Sequence, residues 1–104
     1  MSTKTRPNKL GVGGIGRLEA EIMSEVWNIQ DTTKTSQIAV REVYEAIRAK
    51  RQIAYTTVMT VMNNLAKKGL LKQEKDQVVY LYTPTKTKKI LVAELKKAID
   101  VVFS

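Results

Sequence analysis

The sequence predicts a mainly α fold with a small β hairpin, a winged helix-turn-helix followed by a C-terminal helix. Three observations carry that prediction. Two stretches of helical period, 40–50 and 55–67, are joined by the short link "RQIA" at 51–54. The second stretch stops at a glycine and leads into two runs of strand length, "LLKQEK" and "VVYLYT". Beyond Pro84 helical periodicity resumes and continues to Phe103. The 104 residues divide accordingly into a basic arm (1–16), a winged-helix domain (17–84) and a C-terminal helix (85–104) assigned to dimerisation.

Residues 1–17 carry Lys4, Arg6, Lys9 and Arg17 and no acid, with Gly-rich "LGVGGIG" near their end. Such a segment has little apolar surface to bury and reads as flexible. Arg6, Lys9 and Arg17 can reach phosphates in a DNA groove, or the arm is a solvated tail. "GVGGIG" is no phosphate loop, because no strand precedes it and no Lys-Ser or Lys-Thr pair follows. From Arg17 to Ile29 the pattern is helical: Leu18, Ile22, Val26 and Ile29 form a stripe, widened by Met23 and by Trp27 as a core anchor. Glu19 and Glu21 lie near the start, where the helix dipole favours carboxylates.

"QDTTKTSQ" (30–37) is polar and rich in Thr, hence a loop, and Ile38 joins a short strand. The second helix, about 40–50, buries Val40, Val43, Tyr44 and Ile47. Arg41, Arg48, Lys50 and Arg51 make it basic, partly balanced by Glu42 and Glu45. Arg41 is a candidate phosphate contact.

The third helix lies in "AYTTVMTVMNNLAKKGLL" (54–71) and has two unlike faces. Val58, Val61, Met62 and Leu65 repeat at i, i+3, i+4 and i+7, one buried stripe. Thr56, Thr60, Asn63 and Lys67 share the opposite face, which is short and polar. In a helix-turn-helix the second helix of the pair enters the major groove, about 12 Å wide, with its N-terminal half at base edges. Thr hydroxyls can bond phosphates or bases, Thr methyls can meet thymine methyls, and Asn63 has the amide that pairs bidentately with adenine. Thr57 and Met59 flank this face. A merely solvated helix would favour Glu, Lys, Gln or Ala at such positions over Thr and Asn. Tyr55 projects about 60° from the stripe centre, counting ~100° per residue. It either closes the core edge or offers its hydroxyl to a phosphate. Lys67 and Lys68 complement the dipole in the last turn or reach phosphates, and Gly69 supplies the left-handed C′ residue.

Asp76 and Gln77 separate the two strands, and Val78, Tyr80 and Tyr82 alternate with Val79, Leu81 and Thr83. Lys72 and Lys75 are the wing's candidate phosphate contacts; a solvated hairpin is the alternative. In the C-terminal helix Leu91, Leu95, Ala98 and Val102 make a stripe, broadened by Val92, Ile99 and Phe103. With no obvious partner in its own chain, such a stripe is expected to meet a second copy, since two-fold dimers dominate homo-oligomers. The alternative is a helix folded back on its own domain.

Eighteen Lys and Arg against ten Asp and Glu give a net charge of +8 and a pI near 9.8. That balance favours an anionic partner, above all nucleic acid. The chain has no Cys and no His. Disulfides, thiolate metal sites, His-based acid–base chemistry and most zinc sites are thereby excluded within it, and no metal or cofactor is expected. The carboxylates are scattered over helix surfaces, so no catalytic constellation can be assembled and no enzyme is expected. No apolar run approaches the ~18 residues of a membrane helix, and the N-terminus is too broken for a signal-peptide core. A cytoplasmic protein without a membrane partner is expected. The features favour sequence-specific binding of double-stranded DNA. The rival is a winged-helix protein-interaction module, which would want an apolar hot spot on the third helix's outer face, and none is seen.

The stretch "AYTTVMTVMNNLAKKGLLKQEKDQVVYLYTP" (54–84) resembles the penicillinase-repressor (BlaI/MecI/CopY) family of winged-helix transcriptional repressors. The resemblance rests on the Tyr-Thr-Thr-Val helix at Tyr55–Val58, the Leu-x-Lys-Lys-Gly-Leu turn at Leu65–Leu70 and the Tyr-x-Tyr-x-Pro exit at Tyr80–Pro84. Upstream, "LEAEIMSEVW" and "VREVYEAI" look like the family's first two helices, so that roughly residues 17–103 are covered. It implies a homodimeric repressor of the antibiotic-resistance (β-lactamase) type on an inverted-repeat operator, with the third helix in the major groove. It also implies release of repression through a membrane sensor-protease pathway that cleaves the repressor.

Four departures stand against the family pattern. Ala39 replaces the usual Thr cap, so Glu42 lacks a capping-box partner. The loop before it is longer, and Met59 stands where relatives are often basic. The chain stops at Ser104, where relatives usually continue through further dimerisation helices, so a fragment or a short homologue with a weaker dimer is expected. Without cysteine, the copper-sensing chemistry of one branch is absent from this chain.

Overall fold

In the computed structural model, which describes residues 15–103, the chain runs α1 (Arg17–Thr33), β1 (Ile38–Ala39), α2 (Val40–Arg48), α3 (Tyr55–Lys67), β2 (Leu71–Asp76), β3 (Val79–Pro84) and α4 (Lys88–Phe103). Every element up to β3 contributes to one interior. Ile22, Met23 and Val26 of α1 meet Ile38 of β1, Val40, Val43 and Ile47 of α2, and Val58, Met62 and Leu65 of α3. Leu71 and Tyr82 close this cluster from the hairpin. These are the i, i+3, i+4 positions of each helix, so the apolar periodicity of the sequence becomes the core directly. Full burial of such side chains stabilises by about 1.5–3 kcal/mol each, which seats α3 firmly from behind.

The three strands form an antiparallel sheet in the order β1-β3-β2. Ile38 pairs with Tyr82 and Ala39 with Leu81, while Leu71 pairs with Pro84 and Asp76 with Val79. The expected short strand at Ile38 is therefore the edge that ties the wing to the start of α2. Proline at position 84 suits the end of its strand, where its missing N–H removes no ladder bond from the middle of the sheet.

Several boundaries differ from expectation, each for a local reason. α1 continues through residues 30–33, which composition assigned to a loop. The helix stops only where Lys34 adopts a left-handed conformation (φ 59) and its N–H reaches the Gln30 carbonyl at 2.8 Å. Polar residues do not themselves end a helix, and the Thr33 hydroxyl donates back to the Ile29 carbonyl at 2.7 Å. The hairpin turns at Gln77 and Val78, one residue later than Asp76–Gln77, with Gln77 at φ 60. α4 starts at Lys88, after Thr87, whose hydroxyl accepts the Ile90 N–H at 3.1 Å as an N-cap. α2 starts at Val40, and its N-cap Ala39 provides no side-chain cap, as the sequence predicted.

The end of α3 follows the sequence closely. The Leu70 N–H donates to the Leu65 carbonyl (2.9 Å) and the Gly69 N–H to the Ala66 carbonyl (3.0 Å), with Gly69 at φ 82. This is the paired 6→1 and 5→2 bonding of a Schellman motif. It turns the chain from α3 straight into the wing.

One expectation for α4 needs correction. Leu91 is only 7% exposed, so the first turn of the supposed free stripe is used within the chain. Trp27 anchors the same region, its indole N–H donating to the Lys86 carbonyl at 3.0 Å. The open apolar surface of α4 is Ile90, Val92 and Ile99, with Leu95 and Ala98 half-buried. Val102 and Phe103 lie in the last turn, where side chains fall outside those described.

Candidate nucleic-acid interface

The buried stripe Val58, Met62 and Leu65 fixes which way α3 faces. Counting ~100° per residue from that stripe, Thr56, Thr60 and Lys67 point directly away from the core, and all three are exposed. Thr57 and Asn64, also exposed, lie on the side toward α1. Tyr55, Met59, Asn63 and Ala66 lie on the side toward the wing. There they line an open groove together with Arg41, Lys72, Gln73, Val78, Val79 and Tyr80. The outer surface of α3 therefore has a Thr-rich crest and one flank that leads into the wing.

Tyr55 closes the core edge, as one of its two expected roles required. Its ring meets Tyr44 edge-on, centroids 5.4 Å apart, and it remains 43% exposed at the mouth of the groove. Met59 is exposed beside it. Lys72 and Lys75 stand on the exposed strand β2. Lys72 reaches Glu74 at 3.4 Å, and Lys75 lies 5.9 Å above the Tyr80 ring. Arg41 is exposed and loosely paired with Glu45 at 3.4 Å. Arg17 opens α1, and the Glu19 carboxylate accepts the N–H of the N-cap residue Gly16 at 2.8 Å. Arg6 and Lys9 lie outside the described residues.

Asn63 is placed differently from a free reader. Its side-chain carbonyl accepts the Tyr82 hydroxyl at 2.6 Å and the Gln73 amide at 2.8 Å. That same Gln73 amide also donates to the Tyr82 hydroxyl at 2.8 Å. Tyr82 is 1% exposed. Gln73 was not singled out from sequence, since nothing at its own position marks it. Lys68 turns toward α1, where it pairs with Glu19 at 2.7 Å.

That last contact is one of three along α1. Arg51 pairs with Glu21 at 2.6 Å, and Lys50 pairs with the buried carboxylate of Glu25. The Arg51 guanidinium hydrogen bond holds the Glu21 carboxyl below its ordinary range, burial opposing it weakly. The bond to Glu25 likewise raises Lys50. The acids of α1 thus neutralise the cations behind α3, whereas between Glu45 and Glu74 the chain has no acid at all. α3 itself therefore carries no carboxylate, and its one cation is Lys67 in the last turn.

Sequence reasoning also missed the wing tip. Val78 is 87% exposed, and Val79 and Tyr80 are about half exposed. The alternation of the strand was legible, but the tip projects beyond anything that could bury it. Among the described residues no cluster of acidic side chains could hold a metal ion. None of the described helices is long and apolar enough to cross a membrane.

A helix-turn-helix whose second helix is seated on a core stripe, with a basic hairpin beside its exposed face, defines a winged-helix domain. Residues 15–104 match the sequence model of the penicillinase repressor family, and the chain belongs to that family. It is 42% identical over 81 residues to the transcriptional regulator BlaI of Mycobacterium tuberculosis, in strain CDC 1551 / Oshkosh and equally in strain ATCC 25618 / H37Rv. The matched region is 78% of this chain and 55% of those proteins, so the chain spans about half the length of the curated relatives it matches. Among solved structures it is similar to the solution structure of the DNA binding domain of the repressor BlaI. That match has a TM-score of 0.58 and 28% identity, covering 83% of this chain and 90% of the other. Its relatives are transcriptional regulators and not enzymes.

Proposed function

We propose that this chain is a cytoplasmic, sequence-specific DNA-binding transcriptional repressor that acts as a homodimer on an inverted-repeat operator. α3 lies in the major groove with Thr56, Thr57 and Thr60 toward base edges and Lys67 toward the backbone. Met59 and Tyr55 follow the groove wall on the wing side. Lys72 and Lys75 take phosphates of the flanking backbone, and Arg41 and Arg17 are placed to add further ones. The α4 surfaces of two copies hold the reading helices on half-sites about 34 Å apart. By likeness to its family, repression is of the β-lactamase-regulating kind and is lifted through a membrane sensor-protease pathway.

One observation carries this reading. α3 presents a crest of short hydrogen-bonding side chains, immobilised from behind by Val58, Met62 and Leu65, in a stretch without acids. A protein-interaction module would need apolar anchors on that crest; the exposed apolar side chains of α3 among the described residues, Tyr55 and Met59, lie on its wing-side flank, and the others lie on the wing tip and α4. Titration of labelled duplex at several salt concentrations tests it. Neutralising about five phosphates gives a log–log slope of roughly −4.5 on B-DNA. Selection from random duplexes should return a two-fold symmetric site. A flat salt response with no enriched sequence would defeat the reading.

A further inference from the structure

The triangle of Asn63, Gln73 and Tyr82 joins α3, β2 and β3 at a single point. Each side chain bonds both others, at 2.6–2.8 Å. The Asn63 carbonyl accepts two hydrogen bonds, which uses both of its lone pairs. A bidentate pair with adenine requires that same oxygen to accept from the base while the amide nitrogen donates. Reading adenine would therefore break both bonds and strip the Tyr82 hydroxyl of its acceptor in a buried setting, a costly exchange. The ring of Tyr82 is held by the core and cannot follow Asn63 outward.

From this geometry we infer that Asn63, Gln73 and Tyr82 are a latch that sets the angle between the reading helix and the wing, and that Asn63 is a positioning residue. The inference rests on the DNA-binding reading above and deepens it. α3 and the wing are otherwise linked by the core contacts of Leu71 and Tyr82 and by the Gly69 turn. The polar contacts of this triangle, part-buried at the Tyr82 hydroxyl, are what would hold the hairpin at one tilt. That tilt decides whether Lys72 and Lys75 meet the backbone while α3 is in the groove. Base reading then falls to the Thr crest, and Asn63 contributes by keeping both contact surfaces engaged at once.

The test compares the parent with Asn63→Ala, Gln73→Ala, Tyr82→Phe and the double variant Asn63→Ala/Tyr82→Phe. Tyr82→Phe removes only the hydroxyl and keeps the ring that the core needs. Each is titrated against the site selected from random duplexes and against a scrambled duplex, over a range of salt, and melted in the absence of DNA. A disengaged wing lysine removes about 0.9 from the salt slope and, at 0.15 M salt, roughly fivefold in affinity. The latch predicts that Tyr82→Phe, Gln73→Ala and Asn63→Ala all flatten the slope by one to two units on both duplexes. It also predicts that the double variant is no weaker than the weaker single, because all three changes open one device. A Tyr82→Phe protein with the parental slope overturns the latch. So does Asn63→Ala that keeps the parental slope and loses discrimination at one base position, which makes Asn63 a reader. Additive losses in the double variant overturn it as well. A parent that binds no duplex defeats the DNA reading itself and the latch with it.

Discussion

Gly69 is where α3 becomes the wing, and its substitution by alanine isolates one physical effect. The backbone there sits at φ 82, and a Cβ built onto it meets nothing within 4 Å. No steric clash contributes, so the cost of Gly69→Ala is that of forcing an L-residue into the left-handed region, about 1–2 kcal/mol. For a domain whose total stability is of the order of 5–15 kcal/mol, that is a substantial fraction. The two capping bonds, Leu70 N–H to Leu65 and Gly69 N–H to Ala66, are backbone bonds and survive the change. The Thr85 hydroxyl that reaches the Gly69 carbonyl at 2.7 Å also remains. Melting should drop by about 4–8 °C for each kcal/mol in a domain of this size. Asn tolerates the left-handed region better than Ala, so Gly69→Asn should fall between parent and Gly69→Ala. Thermal and urea unfolding of the three proteins measure this. Equal stability of Gly69→Ala and the parent, or a loss larger for Asn than for Ala, would refute the backbone argument.

Two further outcomes follow from charge and from α4. Glu21 is held below its ordinary value of 4.5 by the Arg51 hydrogen bond, so the contribution of that pair is present above pH 4.5 and is lost as pH falls through the lower folded value. Arg51→Ala should therefore flatten the acid limb of thermal stability, a small effect at this exposed pair that shrinks further in salt; an unchanged acid limb at low salt would exclude the pair as a contributor. On α4, Leu95→Asp with Ile99→Asp should abolish self-association while leaving the winged-helix domain folded, because both positions lie beyond the buried Leu91. Sedimentation equilibrium with and without duplex measures this, and a parent that stays monomeric at high concentration in both conditions defeats the dimer proposal.

What was legible in the sequence was whatever depends on near neighbours along the chain. The bounds of α3 were readable because a four-position apolar stripe and a following glycine lie within one short stretch, and the hairpin because its two runs are adjacent. The end of α1 was not readable, since the stop is a left-handed Lys34 and a lysine gives no warning of that conformation. The hairpin register slipped by one because Asp76 looks like a turn residue, whereas pairing is set from the other end, where Tyr82 enters the core opposite Ile38. In the site, the crest of α3 followed from its own periodicity. The partners of Asn63 lie 10 and 19 residues away, and that of Lys68 lies 49 away. No local spacing reveals such contacts. Leu91 misled for the same reason: its helix is amphipathic in isolation, and only the folded chain shows that its first turn is already covered.

Net charge pointed to an anionic partner, and the structure refines where on the surface that charge stands. At physiological ionic strength charges farther apart than about 8 Å are largely screened from one another, so a surplus of eight spread evenly over the surface would steer nothing to one face. What creates a binding face is the sorting of acids. Glu19, Glu21 and Glu25 stand on α1 and take up Lys68, Arg51 and Lys50, cations that the sequence places on either side of α3. Each of these pairs contributes little to stability where it is exposed, and Glu25 is the exception because its carboxylate is buried and needs its partner. Their joint effect is to pair three cations flanking α3 with acids of α1. The front keeps Lys67, Lys72 and Lys75 with Glu74 as its nearest acid, beside Thr hydroxyls that accept and donate without charge. A phosphate backbone approaching this face meets Lys67, Lys72 and Lys75 beside the exposed surface of α3, whose orientation the buried stripe of Val58, Met62 and Leu65 already fixes. The core and the charge pattern point the same helix in the same direction, and that agreement between independent levels is the strongest physical support for α3 as the reading element.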